Sequence, residues 1–331
     1  MPADFSLFTP ADDGCPASEP TSETAHEDVG LREVAAWFRA QRNYRERFGA
    51  VLRQSIDEVL DGQRTGRYDI EAAEPDGLSK TEKTYLGTKV EIITRAEFDL
   101  PQRERSGKRK PMDYCIAGHE VDAKFSLSAV WQIPQEAMGH LCLLMAARDR
   151  RQSFDIGLLR ITEEVLNRGR NRDRKATISK AGRDKIIWLA AGAELPRNIL
   201  LHLPEHQAKK IMSQTSGQRR INELLRTEQG RMIDRNTALT VAKQADGLKR
   251  CRDARPALRD EGIVVLGHQN DSRRIAVDLG LQIPMKGTFI AVQLARVTAG
   301  TSSRKTTIID EACYAVAEPD DPVTPAPLIN N

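Results

Sequence analysis

The amino-acid sequence predicts an α/β protein, a mixed sheet flanked by helices, followed by a smaller α+β domain. Three observations predict it. Apolar residues recur at helical spacings in two early stretches. A glycine-marked pair of extended segments then runs into an unbroken apolar stretch. The last third passes from arginine-rich helical patterns to short β-rich segments.

Taken in order, residues 1–31 are rich in Pro, Ser, Thr and acids and read as a disordered acidic tail. One helical pattern follows, with Val34, Trp37, Phe38, Phe48, Val51, Leu52, Ile56, Val59 and Leu60 at spacings of three and four. DGQRTGR (61–67) ends it. Its two glycines and two arginines suit either a helix-terminating turn or a phosphate contact by Arg64 and Arg67. A second helix is predicted over 80–98, with Leu86, Val90 and Ile93 as its apolar stripe and Glu91 beside it. RERSGKRKP (103–111) is a basic loop whose Lys108, Arg109 and Lys110 suit backbone phosphates, contacts that position rather than specify.

MDYCIAGHEVDAKFSL (112–127) carries the most chemistry. Val121, Ala123, Phe125 and Leu127 alternate with Asp122, Lys124 and Ser126, so acid and base share one strand face. Asp113 to Ile116 is rich in β-formers and meets Ala117-Gly118, where glycine can take the positive φ of a tight turn. If those two residues are the turn, Asp113 faces Asp122 across the hairpin with Cβ atoms roughly 5 Å apart. Two carboxylates that close repel unless a cation lies between them. Oxygen ligands so placed suit a hard divalent ion such as Mg²⁺, which accepts a phosphate oxygen. The plain alternative is a solvated strand face with a weak surface ion pair.

HLCLLMAA (140–147) reads as a central strand covered on both faces, FDIGLLRI (154–161) as the next strand, and NRGRNRDRK (167–175) as a basic loop. These complete a domain over 32–188, and Gly192 and Pro196 mark a linker at 189–197. In the second domain, 198–305, the stretches 217–231 and 237–250 read as helices. Strands follow near Ile263 to Leu266 and Thr288 to Val297, with a short helix at 272–281 between them. That order is compatible with a winged helix-turn-helix. Residues 306–331 read as an acidic tail.

The net charge of +3 hides its distribution. Residues 1–31 hold seven acids and 306–331 five, with no Lys or Arg in either, so residues 32–305 set 50 basic against 35 acidic side chains. A basic body favours a polyanion partner. Five scattered cysteines (15, 115, 142, 251, 313) form no C-x-x-C pair and read as free thiols of a reducing cytoplasm. The longest apolar run, Leu141 to Ala147, is too short to span a bilayer, and no G-x-x-x-x-G-K-[ST] loop points to a nucleoside triphosphate. His119, in the hairpin turn, reads as exposed rather than catalytic.

An acid followed on the next strand by D-x-K resembles the active site of the PD-(D/E)xK nuclease fold. DGQRTGR (61–67), KTEKTYLGTKVEI (80–92), DYCIAGHEVDAKFS (113–126) and EGIVVLGH (261–268) together resemble the NaeI-like type IIE restriction endonucleases, in order, from about residue 50 to about 298. The resemblance implies a restriction-endonuclease-like fold and Mg²⁺-dependent phosphodiester hydrolysis in double-stranded DNA. Glu91, Asp113, Asp122 and Lys124 would be the catalytic set, with Asp113, Asp122, Glu91 and the Ala123 carbonyl around the metal. It tips Arg64 and Arg67 toward DNA contact. In that family the C-terminal domain is similar to the DNA-binding domain of catabolite activator protein, which makes Gln218, Arg219, Arg220, Asn222 and Arg226 candidate DNA contacts. It further implies a homodimer on a GC-rich palindrome, GCCGGC, activated by a second copy of that site. The 103–111 loop departs from the family by being longer and more positive. A repair or nicking nuclease and a non-catalytic DNA-binding regulator are the alternatives on the same fold.

Overall fold

The computed structural model describes residues 28–101, 112–298 and 303–330. The chain forms two compact units, one of residues 1–55 and 80–196, the other of 56–79 and 197–331. This corrects the expected domains. The boundary falls at Pro196, but 56–79, placed by sequence in the first domain, belongs to the second. The expected linker at 189–197 is largely strand, and the expected acidic tail after 306 contains two strands.

Among the described residues four helices come first: α1 (Val29–Ala40), α2 (Tyr44–Leu60), α3 (Gly62–Thr65) and α4 (Lys80–Glu97). The single helix expected over 34–60 is broken near Asn43, whose φ of 51° no α-helix accommodates. α1 begins inside the expected tail because Asp28 caps it, its carboxylate accepting the Leu31 N–H at 2.9 Å. Phe38, Phe48 and Phe98 then pack edge-on and tilted between α1, α2 and the end of α4, with centroids 4.6–5.4 Å apart.

Eight strands build the rest of the first unit: β1 (Tyr114–Ile116), β2 (His119–Ser126), β3 (Gln132–Ile133), β4 (Leu141–Arg148), β5 (Ser153–Arg160), β6 (Leu166–Arg170), β7 (Ala176–Ile178) and β8 (Ile187–Glu194). α5 (Lys180–Asp184) lies between the last two. The main sheet runs β1-β2-β4-β5-β8 and is mixed: β2 and β4 are parallel, the other pairs antiparallel. β4 is central, and Leu141 to Ala147 are all buried, as an unbroken apolar run requires. Trp131, Ile133, Cys142, Leu144, Leu159 and Ile178 form one core under this sheet. The basic run at 167–175, expected as a loop, is a β6–β7 hairpin.

The second unit holds α3, α6 (Glu205–Met212), α7 (Gly217–Thr227), β9 (Met232–Ile233), α8 (Arg235–Ala242), α9 (Gly247–Arg259), β10 (Ile263–Leu266), α10 (Asp271–Asp278), β11 (Phe289–Arg296), β12 (Thr306–Ile309) and β13 (Ala312–Val316). Its sheet runs β10-β11-β13-β12, with β9 also on β11. The helix expected over 237–250 is two helices, because Lys243 takes a left-handed conformation and ends α8. Ile221, Leu224, Leu225, Val241, Cys251 and Leu258 are the buried centre where α7, α8 and α9 meet.

Asp28 also forms a buried ion pair with Arg160 of β5. Burial works against the carboxylate, but Arg160 and the Leu31 N–H outweigh it and hold the group below its ordinary value of 3.8. Its stabilisation is therefore present above that value and lost as pH falls through the lower, folded one. Asp28→Ala is expected to cost about 3 kcal/mol at pH 7, since it leaves Arg160 buried without its partner. In denaturant unfolding the gap to wild type should be flat from pH 7 to 5 and narrow below about pH 4; a gap unchanged down to pH 2 would contradict the ion-pair account.

Candidate active site

The β1–β2 hairpin is set by its two-residue turn. Ala117 and Gly118 have φ of 50° and 82°, the paired positive values of a type I′ turn. Tyr114 pairs with Val121, Cys115 with Glu120 and Ile116 with His119. The same register, extended by one residue, sets Asp113 against Asp122. The Asp113 carboxylate accepts the Ala123 N–H at 2.8 Å, which pins it to the middle of β2.

Lys124, two residues along the same face, makes an ion pair with Asp122 and donates to the Ala123 carbonyl at 3.2 Å. β4 supplies Cys142 at the position paired with Asp122, and its thiol reaches the Asp122 carboxylate at 3.8 Å. The plain alternative of a solvated strand face does not hold at Asp122, which is 8% exposed on an interior strand of the sheet.

That burial governs the electrostatics. Asp122 is pushed up to about 6 by burial and by neighbouring Asp113, against the pull of Lys124. For Lys124, burial would lower the value, but the Asp122 carboxylate overrides it and the amine stays firmly protonated. Burial and Asp113 also raise Glu91, against Arg95.

Glu91 lies on α4, but its carboxylate is turned to Arg95, one helical turn on, at 3.0 Å. Arg95 and Tyr114 are participants the sequence reading missed. The Arg95 guanidinium also donates to the Asp113 carbonyl at 3.0 Å, and the Tyr114 hydroxyl donates to the Glu91 carbonyl at 2.9 Å. The i,i+4 spacing of Glu91 and Arg95 was the available signal. Cys142, inside an apolar run, offered none. Among the described residues no three His, Cys, Asp or Glu side chains gather as a metal cage. Asp113 and Asp122 are neighbours with the Ala123 carbonyl beside them, and Glu91, near enough to feel the charges of Asp113 and Lys124, keeps its carboxylate on Arg95. Two neighbouring hard carboxylates are a donor set that fits a divalent cation.

The basic candidates fare unevenly. Arg64 is exposed and pairs with Asp61 at 2.6 Å, whereas Arg67 donates to the Gly77 and Leu60 carbonyls and fastens its own loop. Gly62 is needed because α3 lies against α8, where a Cβ would collide with Thr240, and Gly66 because it takes a φ of 76°. On α7, Arg220 donates to the Val241 and Ala242 carbonyls at the end of α8, and Arg226 forks onto Glu261 at 2.7 and 2.8 Å. Gln218 bonds Asn222 and the Arg250 carbonyl. Arg219 is exposed and, with Gln214, Asn222 and Arg226, lines an open cavity of about 350 Å³. Lys108, Arg109 and Lys110 lie outside the described residues. His119 is bonded to Glu33 at 2.6 Å. Cys142, Cys251 and Cys313 are free, but Cys115 is disulfide-bonded, against the expectation of five free thiols.

Residues 32–325 match the family described as Restriction endonuclease NaeI. The chain is also 39% identical over 317 residues to the Type II restriction enzyme NaeI of Lentzea aerocolonigenes, an alignment covering 92% of this chain and 96% of that protein. The chain belongs to the NaeI restriction endonuclease family. It is accordingly a type II site-specific deoxyribonuclease, and the NaeI-family match runs through both compact units. No described helix is long and apolar enough to cross a membrane.

Carbon-detected NMR of the metal-free protein should show the Asp122 carboxyl titrating near pH 6, and saturating Mg²⁺ should move the midpoint down, because a cation favours the ionised form. A midpoint at its ordinary 3.8 that ignores Mg²⁺ would contradict the geometry.

Proposed function

We propose that the enzyme hydrolyses phosphodiester bonds of double-stranded DNA with Mg²⁺ held by Asp113, Asp122 and the Ala123 carbonyl. The observation that carries this reading is a pair of neighbouring carboxylates, one of them buried and paired with a lysine on the same face of β2. When bound, the ion would supply a Lewis acid for the scissile phosphate and lower the pKa of a water. The chain's own part begins with the ion pair of Lys124 and Asp122. Neutralising Asp122 by another cation would free the ammonium to face the phosphate, where it offsets charge gathering on the phosphoryl oxygens and orients the attacking water. Asp113, tied to the Ala123 N–H, fixes the spacing of the two carboxylates. Glu91 stands behind them and shapes the field of the site through Arg95.

For the second unit we propose a winged helix-turn-helix. The order α7, β9, α8, α9, β10, β11, with β9 and β10 both pairing β11, supports it. On that reading α8 and α9 are the helix-turn-helix and α9 enters the major groove. The candidate base contacts then move from α7 to the exposed Lys249 and Arg252 of α9. Arg64 and Arg219 remain candidate phosphate contacts, while Arg67, Gln218, Arg220 and Arg226 hold the fold. A homodimer matches a palindromic site by symmetry, and occupancy of the second unit by another copy of the site would activate cleavage. GCCGGC is the sequence to test first.

Digestion of supercoiled plasmid in Mg²⁺, followed by end sequencing, tests the assignment. Linear product with fixed ends is expected; open circles alone would point to a nicking enzyme, and no change to a DNA-binding regulator. Asp122→Ala should abolish cleavage yet bind the same DNA within a few-fold, and turnover equal to wild type would remove Asp122 from the mechanism. Arg252→Ala should weaken binding of an uncleavable site-bearing oligonucleotide at least fivefold, on the order of 1 kcal/mol for a groove contact. An unchanged affinity would take α9 out of the groove.

A further inference from the structure

We propose that Arg95 is a positioning residue of the nuclease centre, acting through Glu91 and the main chain of Asp113 without touching DNA. The inference rests on the nuclease reading above and adds a residue to it.

One nitrogen, Nη2, donates to both Glu91 Oε1 and the Asp113 carbonyl, each at 3.0 Å. The guanidinium lies over the Tyr114 ring, 5.6 Å from its centroid. Tyr114 is 2% exposed and returns a hydrogen bond from its hydroxyl to the Glu91 carbonyl at 2.9 Å. The result is a reciprocal stitch: a side chain of α4 holds the backbone that precedes β1, and a side chain of β1 holds the backbone of α4. Asp113 is the first residue before β1, so the position of its carboxylate depends on this anchor. A lysine would carry the charge but has no planar guanidinium to lie over Tyr114 while one of its nitrogens bonds both acceptors.

The charge argues that the role is geometric. A fixed cation near a centre that takes a dication repels it, so removing Arg95 should not weaken ion binding through charge. It should loosen the placement of Glu91 and Asp113, and misplacement on the order of 1 Å costs about 10²-fold in rate. A group that bound phosphate would instead raise KM for DNA.

The test compares Arg95→Gln, Arg95→Lys and Tyr114→Phe with wild type in four measurements: kcat, KM for a cleavable duplex, Ca²⁺ binding by calorimetry without DNA, and thermal unfolding. Arg95→Gln is expected to lower kcat about 10²-fold, with KM for DNA unchanged and Ca²⁺ affinity weakened, because the Asp113 carboxylate loses its fixed place. Arg95→Lys should recover little of kcat. Tyr114→Phe, which keeps the ring and cuts only the returning bond, should lower kcat in the same direction by less, and it carries the test should the Arg95 variants unfold. Wild-type kcat in Arg95→Gln, a raised KM, or full rescue by Lys would each overturn the proposal. If wild type itself cleaves no duplex, the nuclease reading fails instead; a Ca²⁺ affinity that then rises with Arg95→Gln, as loss of a repelling charge alone would give, would overturn the positioning role separately.

Discussion

The register of one short hairpin is the constraint on which the rest of the first unit depends. Side chains alternate along a strand, so a slip of one residue would send Asp122 and Lys124 to the opposite face and separate them from Asp113. Two positive φ values at Ala117 and Gly118 exclude that slip, because a two-residue type I′ turn admits one pairing of the residues beside it. The parallel pairing of β2 with the fully buried β4 then locks the second edge of the strand. Chemistry is placed by backbone geometry before any side chain acts.

Burial turns this placement into reactivity. A carboxylate pair in water would ionise at its ordinary value; here β2 lies inside the sheet, and burial with Asp113 pushes Asp122 up to about 6 even though Lys124 pairs with it. On the reading proposed above, Lys124 holds the place a metal ion would take. Arg95 does a related service for Glu91 on α4, so two acids of the centre are matched by basic groups, while Asp113 is held by the Ala123 N–H. A centre that carries internal counter-charges can fold without metal and still offer oxygen ligands when metal appears.

Much of this was legible in the sequence. The alternation after Val121 and the Ala-Gly turn predicted the hairpin and its register to the residue, since period-two patterning and turn chemistry are local signals. The run from Leu141 to Ala147 declared the central strand. What escaped was non-local. That the Asp122 face is covered depends on Trp131 and Leu144 packing there, which no window around residue 122 reveals. The glycines of DGQRTGR suited close approach to a phosphate, yet Gly62 serves close approach to α8, far away in sequence, and Gly66 ends α3 with a left-handed turn. Arg67 suited a phosphate contact by composition, and Arg220 and Arg226 were DNA candidates by resemblance, yet their guanidinium groups bond the Leu60 and Ala242 carbonyls and the Glu261 carboxylate. Asn43 and Lys243 broke two helices through single left-handed residues that hydrophobic periodicity does not register.

The most direct test of the account is anomalous diffraction from crystals grown with Mn²⁺ in place of Mg²⁺. The account predicts a peak bounded by the Asp113 and Asp122 carboxylates, at about 2.1–2.3 Å from an oxygen of each. A peak that contacts neither carboxylate, with the hairpin register unchanged, would contradict it.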